Sequence, residues 1–154
     1  MSRRQWLIKT TPWLLLGPAA GLAQPARRDN PDARLDAAIR DFTQGRPVES
    51  APEAIRIEMD ALVENGNSVP VRLKVQSPMT AEHHVQRILL LAPRNPQPQV
   101  ALFYLGPYSG RAEVSTRFRM AESQTLIALA AHNDGRIVRS QAEVIVTLAA
   151  CLEN

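Results

Sequence analysis

The chain has one cysteine in 154 residues, Cys151. No disulfide can form within it, so a fold must be held by its apolar core alone. The one long apolar stretch, Thr10 to Ala23, is broken by Pro and Gly and falls short of the about 20 residues that span a membrane. There is no Gly-rich phosphate loop, no Gly-x-Ser-x-Gly turn and no His-Glu-x-x-His helix. Internal repeats and low-complexity segments are also missing. Charge excess is small: 18 Lys+Arg stand against 15 Asp+Glu. Three of the basic residues, Arg3, Arg4 and Lys9, lie in the first 23 positions, which hold no acid. The remainder is balanced, and nucleic acid is not an expected partner.

What is present begins with an export signal. Arg3-Arg4 precede Trp6, Leu7 and the apolar stretch, which ends Gly21-Leu22-Ala23 with small residues suited to signal peptidase. Residues 1–23 therefore read as a twin-arginine signal peptide, with Arg3 and Arg4 as the recognition pair. That route carries folded cargo, and the expected compartment is the periplasm. A free thiol there must be protected or used. The mature chain is long enough for one domain with a single core.

A helical segment, 24–52, comes first. Asn30-Pro31 has the form of an N-cap and first helical residue, with Asp29 and Asp32 at the positive end of the dipole. Leu35, Ala38, Ile39 and Phe42 fall on one face. Gly45 can close the helix and Pro47 stops it. Over 53–148 the period is two. Ile55, Ile57 and Met59 alternate with charged residues, as do Val69, Val71, Leu73 and Val75 with polar ones and Pro70. Glu64-Asn65-Gly66-Asn67 and Asn133-Asp134-Gly135 are turn signals. Val85 to Ala92 is continuously apolar, so a central strand is expected there. Pro93 to Pro98 breaks the pattern and keeps an edge from pairing. Runs at Val100–Tyr104, Ala112–Met120, Gln124–Ala131 and Ile137–Leu148 complete it. The expectation is an all-β chain: an immunoglobulin-like antiparallel β-sandwich of about seven strands, preceded by a short helix.

Few side chains carry chemistry. His83 and His84 could join Met79 and Cys151 at a copper ion, since blue copper sites use these ligands on β-sandwiches. Adjacent histidines point to opposite faces of an extended segment, however, and only Leu152, Glu153 and Asn154 follow the cysteine. A loop reading is preferred, with no metal and no cofactor. His132 could pair with a cysteine, but no spacing favours it. Arg117 and Arg119 read as a solvated strand face balanced by Glu113. Cys151 remains, in a tail, 149–154, that follows the last strand. It is either a reactive thiol carried at a chain end or an inert small residue.

The order of these features resembles the SoxY family, the sulfur carriers of thiosulfate oxidation. The resemblance rests on Arg3-Arg4, on Glu64-Asn65-Gly66-Asn67-Ser68-Val69-Pro70-Val71, on Asn95-Pro96-Gln97-Pro98, on Thr116-Arg117-Phe118-Arg119-Met120-Ala121 and on Asp134-Gly135, closing on Cys151. It implies a sandwich that pairs with a smaller sandwich subunit, SoxZ. It also implies a cysteine, here Cys151, that holds sulfur intermediates covalently while separate sulfur-oxidising enzymes load and unload it. The carrier itself is then not an enzyme. The tail departs from the family's Gly-Gly-Cys-Gly-Gly: here Ala149-Ala150-Cys151-Leu152-Glu153 stands. Alanines cut backbone freedom, Leu152 adds bulk, and Glu153 disfavours the thiolate. The alternative is a non-catalytic periplasmic interaction module in which Cys151 is dispensable. Tyr104 and Tyr108, near expected sheet edges, are apolar surface that a partner could cover.

N-terminal sequencing of periplasmic material should find a chain that lacks residues up to about Ala23. Recovery of a chain that retains Met1 would overturn the export reading.

Overall fold

A computed structural model describes residues 30–150. Helix α1 spans Pro31–Thr43 and begins as its sequence dictates: Asn30 Oδ1 accepts the Asp32 N–H at 3.0 Å, and Pro31 needs no donor partner. It ends one residue earlier than the glycine suggests. Gln44 is already left-handed at φ 53°, its N–H bonded to Arg40 O at 2.7 Å, and Gly45 follows at φ 76°.

Nine strands follow: β1 Val48–Ser50, β2 Ile55–Glu58, β3 Leu62–Asn65, β4 Val69–Val75, β5 Val85–Leu91, β6 Gln99–Tyr104, β7 Glu113–Phe118, β8 Gln124–His132 and β9 Ile137–Leu148. One sheet runs β1-β9-β8-β5-β6, with β3 also paired to β9; the other runs β2-β4-β7. The two sheets enclose the main core, and the fold is a β-sandwich as expected. Two short strands go beyond the sequence reading. β1 and β3 pair in parallel with opposite ends of β9, at Val48↔Ile137 and at Leu62↔Ile145. At three and four residues they are too short to show alternation. β3 pairs with the part of β9 that runs past its antiparallel partner β8, whereas β1 takes the edge of β9 opposite β8, along residues that β8 also pairs. Arg136 forks onto the Glu49 carboxylate at 2.8 and 3.2 Å, ties β1 to the β8–β9 hairpin and holds Glu49 below the usual carboxylate range.

The unbroken apolar run of β5 has a direct cause. Ile88 and Leu90 face the core between the sheets, while Leu89 and Leu91 face the helix. β8 does the same with Leu126 and Ala128 on one side and Ile127 and Leu129 on the other. The helix covers that second face with the predicted stripe of Leu35, Ala38, Ile39 and Phe42. Arg87 fastens it: its guanidinium lies 4.8 Å from the Phe42 ring centroid and donates to Phe42 O at 3.1 Å, near the negative end of the helix dipole. Among the described residues no helix is long and apolar enough to cross a membrane.

The β8–β9 hairpin turns at Gly135, φ 92°, with His132 N–H bonded to Arg136 O at 2.9 Å. The His132 ring is half-buried there. Burial lowers its pKa, and the nearby Asp134 offsets this only in part.

Two outcomes are expected. Leu91→Ala empties a fully buried site under the helix and should cost about 2–5 kcal/mol in urea unfolding. His132 protonates less readily folded than unfolded, so acid favours the unfolded chain. Stability present above about pH 6.5 should fall as pH drops from there through the depressed folded pKa. In a thermal-unfolding series, His132→Gln should flatten that part of the profile; an unchanged profile would refute it.

Candidate functional site

The last strand leads towards the chain end, and the structure describes the residues that come before Cys151. Cys151, Leu152, Glu153 and Asn154 lie outside the described residues, as do Arg3 and Arg4. Ala150 is the last residue described, and it is not free. It is 8% exposed, and its N–H donates to Met120 O at 3.0 Å. Met120 N–H donates to Gly66 O at 2.8 Å, and Gly66 N–H donates to Leu148 O at 2.7 Å. Three segments distant in sequence thus close one backbone knot: the turn after β3, the end of β7 and the exit of β9. Thr147 adds side-chain bonds to Val63 O and Glu64 O, and Ser123 Oγ accepts the Val146 N–H at 2.9 Å.

Gly66 shows why the turn needs that residue. The turn itself is made by Asn65, whose Oδ1 accepts the Asn67 N–H at 2.9 Å. Gly66 has no left-handed φ. It is required by close approach instead: a Cβ there would lie 2.5 Å from Met120 O and 2.9 Å from Ala150 N. Read from sequence, Asn-Gly signalled a turn; that the glycine is where the tail root presses against the fold shows only in three dimensions.

A buried polar pair braces the knot, and sequence reading did not single it out as functional. Asn95, 8% exposed, donates from Nδ2 to Arg119 O at 2.7 Å. Its Oδ1 accepts from Ala121 N–H at 3.0 Å and from Gln124 Nε2 at 3.2 Å. Gln124 Oε1 in turn accepts the Arg94 N–H at 2.9 Å. Asn95 therefore grips the residues on either side of Met120. No buried side-chain nitrogen or oxygen among the described residues lacks a partner. The sequence signals were Asn95's place in a proline-rich stretch and in the Asn95-Pro96-Gln97-Pro98 segment of the family resemblance.

The other candidates do not converge on the tail. Met79 is buried, and its sulfur accepts the Val85 N–H at 3.5 Å. His84 Nδ1 bonds to Thr80 O at 3.0 Å. Among the described residues no three His, Asp or Glu side chains form a metal-binding group. His132 is ruled out as a partner for the tail by topology. Its neighbour Ala131 pairs with Ile137 at the start of β9, eleven residues before Leu148, or about 36 Å at strand rise. Arg117 donates to Ser68 Oγ at 3.4 Å in an open groove on the outer face of the three-stranded sheet, beside Arg72 and Glu58. The Glu58 carboxylate pairs with Lys74 at 2.9 Å rather than with this arginine. Arg119 lies beyond β7, outside the strand face where it was expected. Tyr104 and Tyr108 are exposed, on the edge strand β6 and just after it. A second exposed apolar group, Leu62, Ile145 and Leu148, flanks the tail root and was not foreseen, because β3 was not.

The sequence profile described as "Sulfur oxidation protein SoxY" matches residues 39–151. The structure of the sulfur carrier protein SoxY from Chlorobium limicola f thiosulfatophilum is similar at TM-score 0.64 and 32% identity, over 76% of this chain and 99% of that one. A superoxide reductase (neelaredoxin) from Ignicoccus hospitalis is similar at TM-score 0.54 and 19% identity, over 61% of this chain and 80% of that one. At that identity the likeness is one of fold alone. Among curated proteins nothing matches. With the profile covering most of the chain, through the knot and up to Cys151, this chain belongs to the SoxY family of sulfur oxidation proteins.

Proposed function

We propose that this protein is a periplasmic carrier that holds sulfur intermediates on the Cys151 thiol and presents them to separate sulfur-oxidising enzymes. One observation carries the reading. The residue before Cys151 is held by a knot built from Gly66 and Met120, within two of the segments in which the sequence resembles the carrier family, and Asn95, from a third, braces it. A carrier needs a thiol fixed at its base and open to partners. It needs no catalytic base of its own, because the loading and unloading enzymes supply the chemistry. Joining the cysteine sulfur to a sulfur atom of the cargo forms an S–S bond. It releases the thiol proton and two electrons, which the loading enzyme passes to its own acceptor. A reductant's thiol that attacks the cargo sulfur forms a new S–S bond to it, breaks the bond to Cys151 and returns that cysteine as the free thiol.

The leader at Arg3-Arg4 supports periplasmic work, where an oxidised sulfur cargo persists. A second, SoxZ-like sandwich is the proposed partner subunit. The exposed Tyr104 and Tyr108 at the β6 edge suit burial by it. The alternative, an interaction module with a dispensable cysteine, draws on the alanines in place of glycines and on the burial of Ala150, which shortens the reach of the thiol.

Intact-mass measurement of non-reduced periplasmic protein, prepared with a sulfur substrate present, should show an adduct that reductant removes. Cys151→Ser should lose the adduct and keep its unfolding curve. If wild type and Cys151→Ser support sulfur-dependent growth equally, the interaction-module reading replaces the carrier.

A further inference from the structure

We propose that Asn95 is a positioning residue for the Cys151 thiol, acting through the Met120 peptide groups that hold Ala150. The proposal rests on the carrier reading and adds the device that aims the thiol. Asn95 is a buried amide in a loop of prolines, and two of its three side-chain bonds land beside one residue. Arg119 O and Ala121 N–H, which it satisfies, bracket Met120. Met120 is fully buried, and its own N–H and C=O are the two groups that take Gly66 and Ala150. The path from carboxamide to tail root is therefore short and fully hydrogen-bonded. Losing Asn95 would leave Arg119 O and Ala121 N–H, both in part-buried hydrogen bonds, without that partner, and the Met120 segment would regain bonds by shifting towards water. Ala150 would move with it.

Fixing Ala150 matters because Cys151 is the next residue. Its Cα lies about 3.8 Å from that of Ala150 whatever the tail conformation. The thiol is thus on a leash one residue long. A pinned base limits the directions in which it can point, and a partner meets it with less ordering entropy to lose. Aspartate cannot replace Asn95 fully. It keeps the acceptor for Ala121 and Gln124 but loses the donor to Arg119 O. Gly66→Ala attacks the same knot from the opposite side, through a 2.5 Å clash with Met120 O.

The test is a nitroxide attached to Cys151 of the processed chain, read by electron paramagnetic resonance, with amide exchange measured at Ala150. Wild type should give a motionally restricted spectrum and a protected amide. Asn95→Ala and Gly66→Ala should give a mobile spectrum and about tenfold faster exchange, the loss of about one hydrogen bond. Leu91→Ala, destabilised on the helix side of the large sheet, should leave both readouts at their wild-type values, which separates positioning from general weakening. Should Asn95→Ala fail to fold, Asn95→Asp carries the same expectation at smaller amplitude. A freely mobile label on wild type, or an unchanged spectrum in the Asn95 variants, overturns the proposal. Neither readout needs a sulfur substrate, so absence of an adduct on wild type would sink the carrier reading and leave the role of Asn95 standing.

Discussion

Burial of β5 and β8 on both faces is the constraint on which the rest of this domain depends. With no disulfide available, the two strands must join the inter-sheet core to the helix-side cluster as one unit. Each buried leucine or isoleucine contributes about 1.5–3 kcal/mol of apolar transfer. That is why both strands read as continuous apolar runs while their neighbours alternate. It also explains the amphipathic helix. A 13-residue helix is marginal alone, and its stripe exists to cover the second face.

The same scaffold sets the place of the tail. β9 is anchored along eight residues to β8, so its far end is a rigid extension of the core. Past that pairing, β3, Gly66 and Met120 take over, and backbone bonds hold the chain as far as Ala150. Leu148 and Ala150 are therefore fixed to the body of the protein by backbone bonds. Leu62, Ile145 and Leu148 are exposed along this end of β9 and its neighbour β3.

Buried amides in a small sandwich are expensive unless every bond is made. Asn95 and Gln124 meet that condition: together they satisfy Arg94, Arg119, Ala121 and Glu122. Their polarity converts an irregular crossing of loops into a fixed surface. An apolar filling could pack the same space, but it could not hold the backbone on either side of Met120.

Sequence alone determined the elements governed by local physics. Asn30-Pro31 opens the helix because cap and ring geometry act within one turn; the period of two marks β2, β4 and β7 because each has one solvated face. The end-of-strand cysteine and its family resemblance were equally plain in the chain. Tertiary structure decided what depends on residues far apart. β1 and β3 exist because β9 offers them an edge, and no three-residue segment announces that. Gly66 is needed because Met120 and Ala150 press upon it, a contact spanning 54 and 84 positions. His132 is removed from the tail by the direction of β9, although both are near the end of the sequence. Asn95 acquires its bonds from the distant segment 119–124 that its loop meets, and such a meeting is a property of the packed chain and of no window along it.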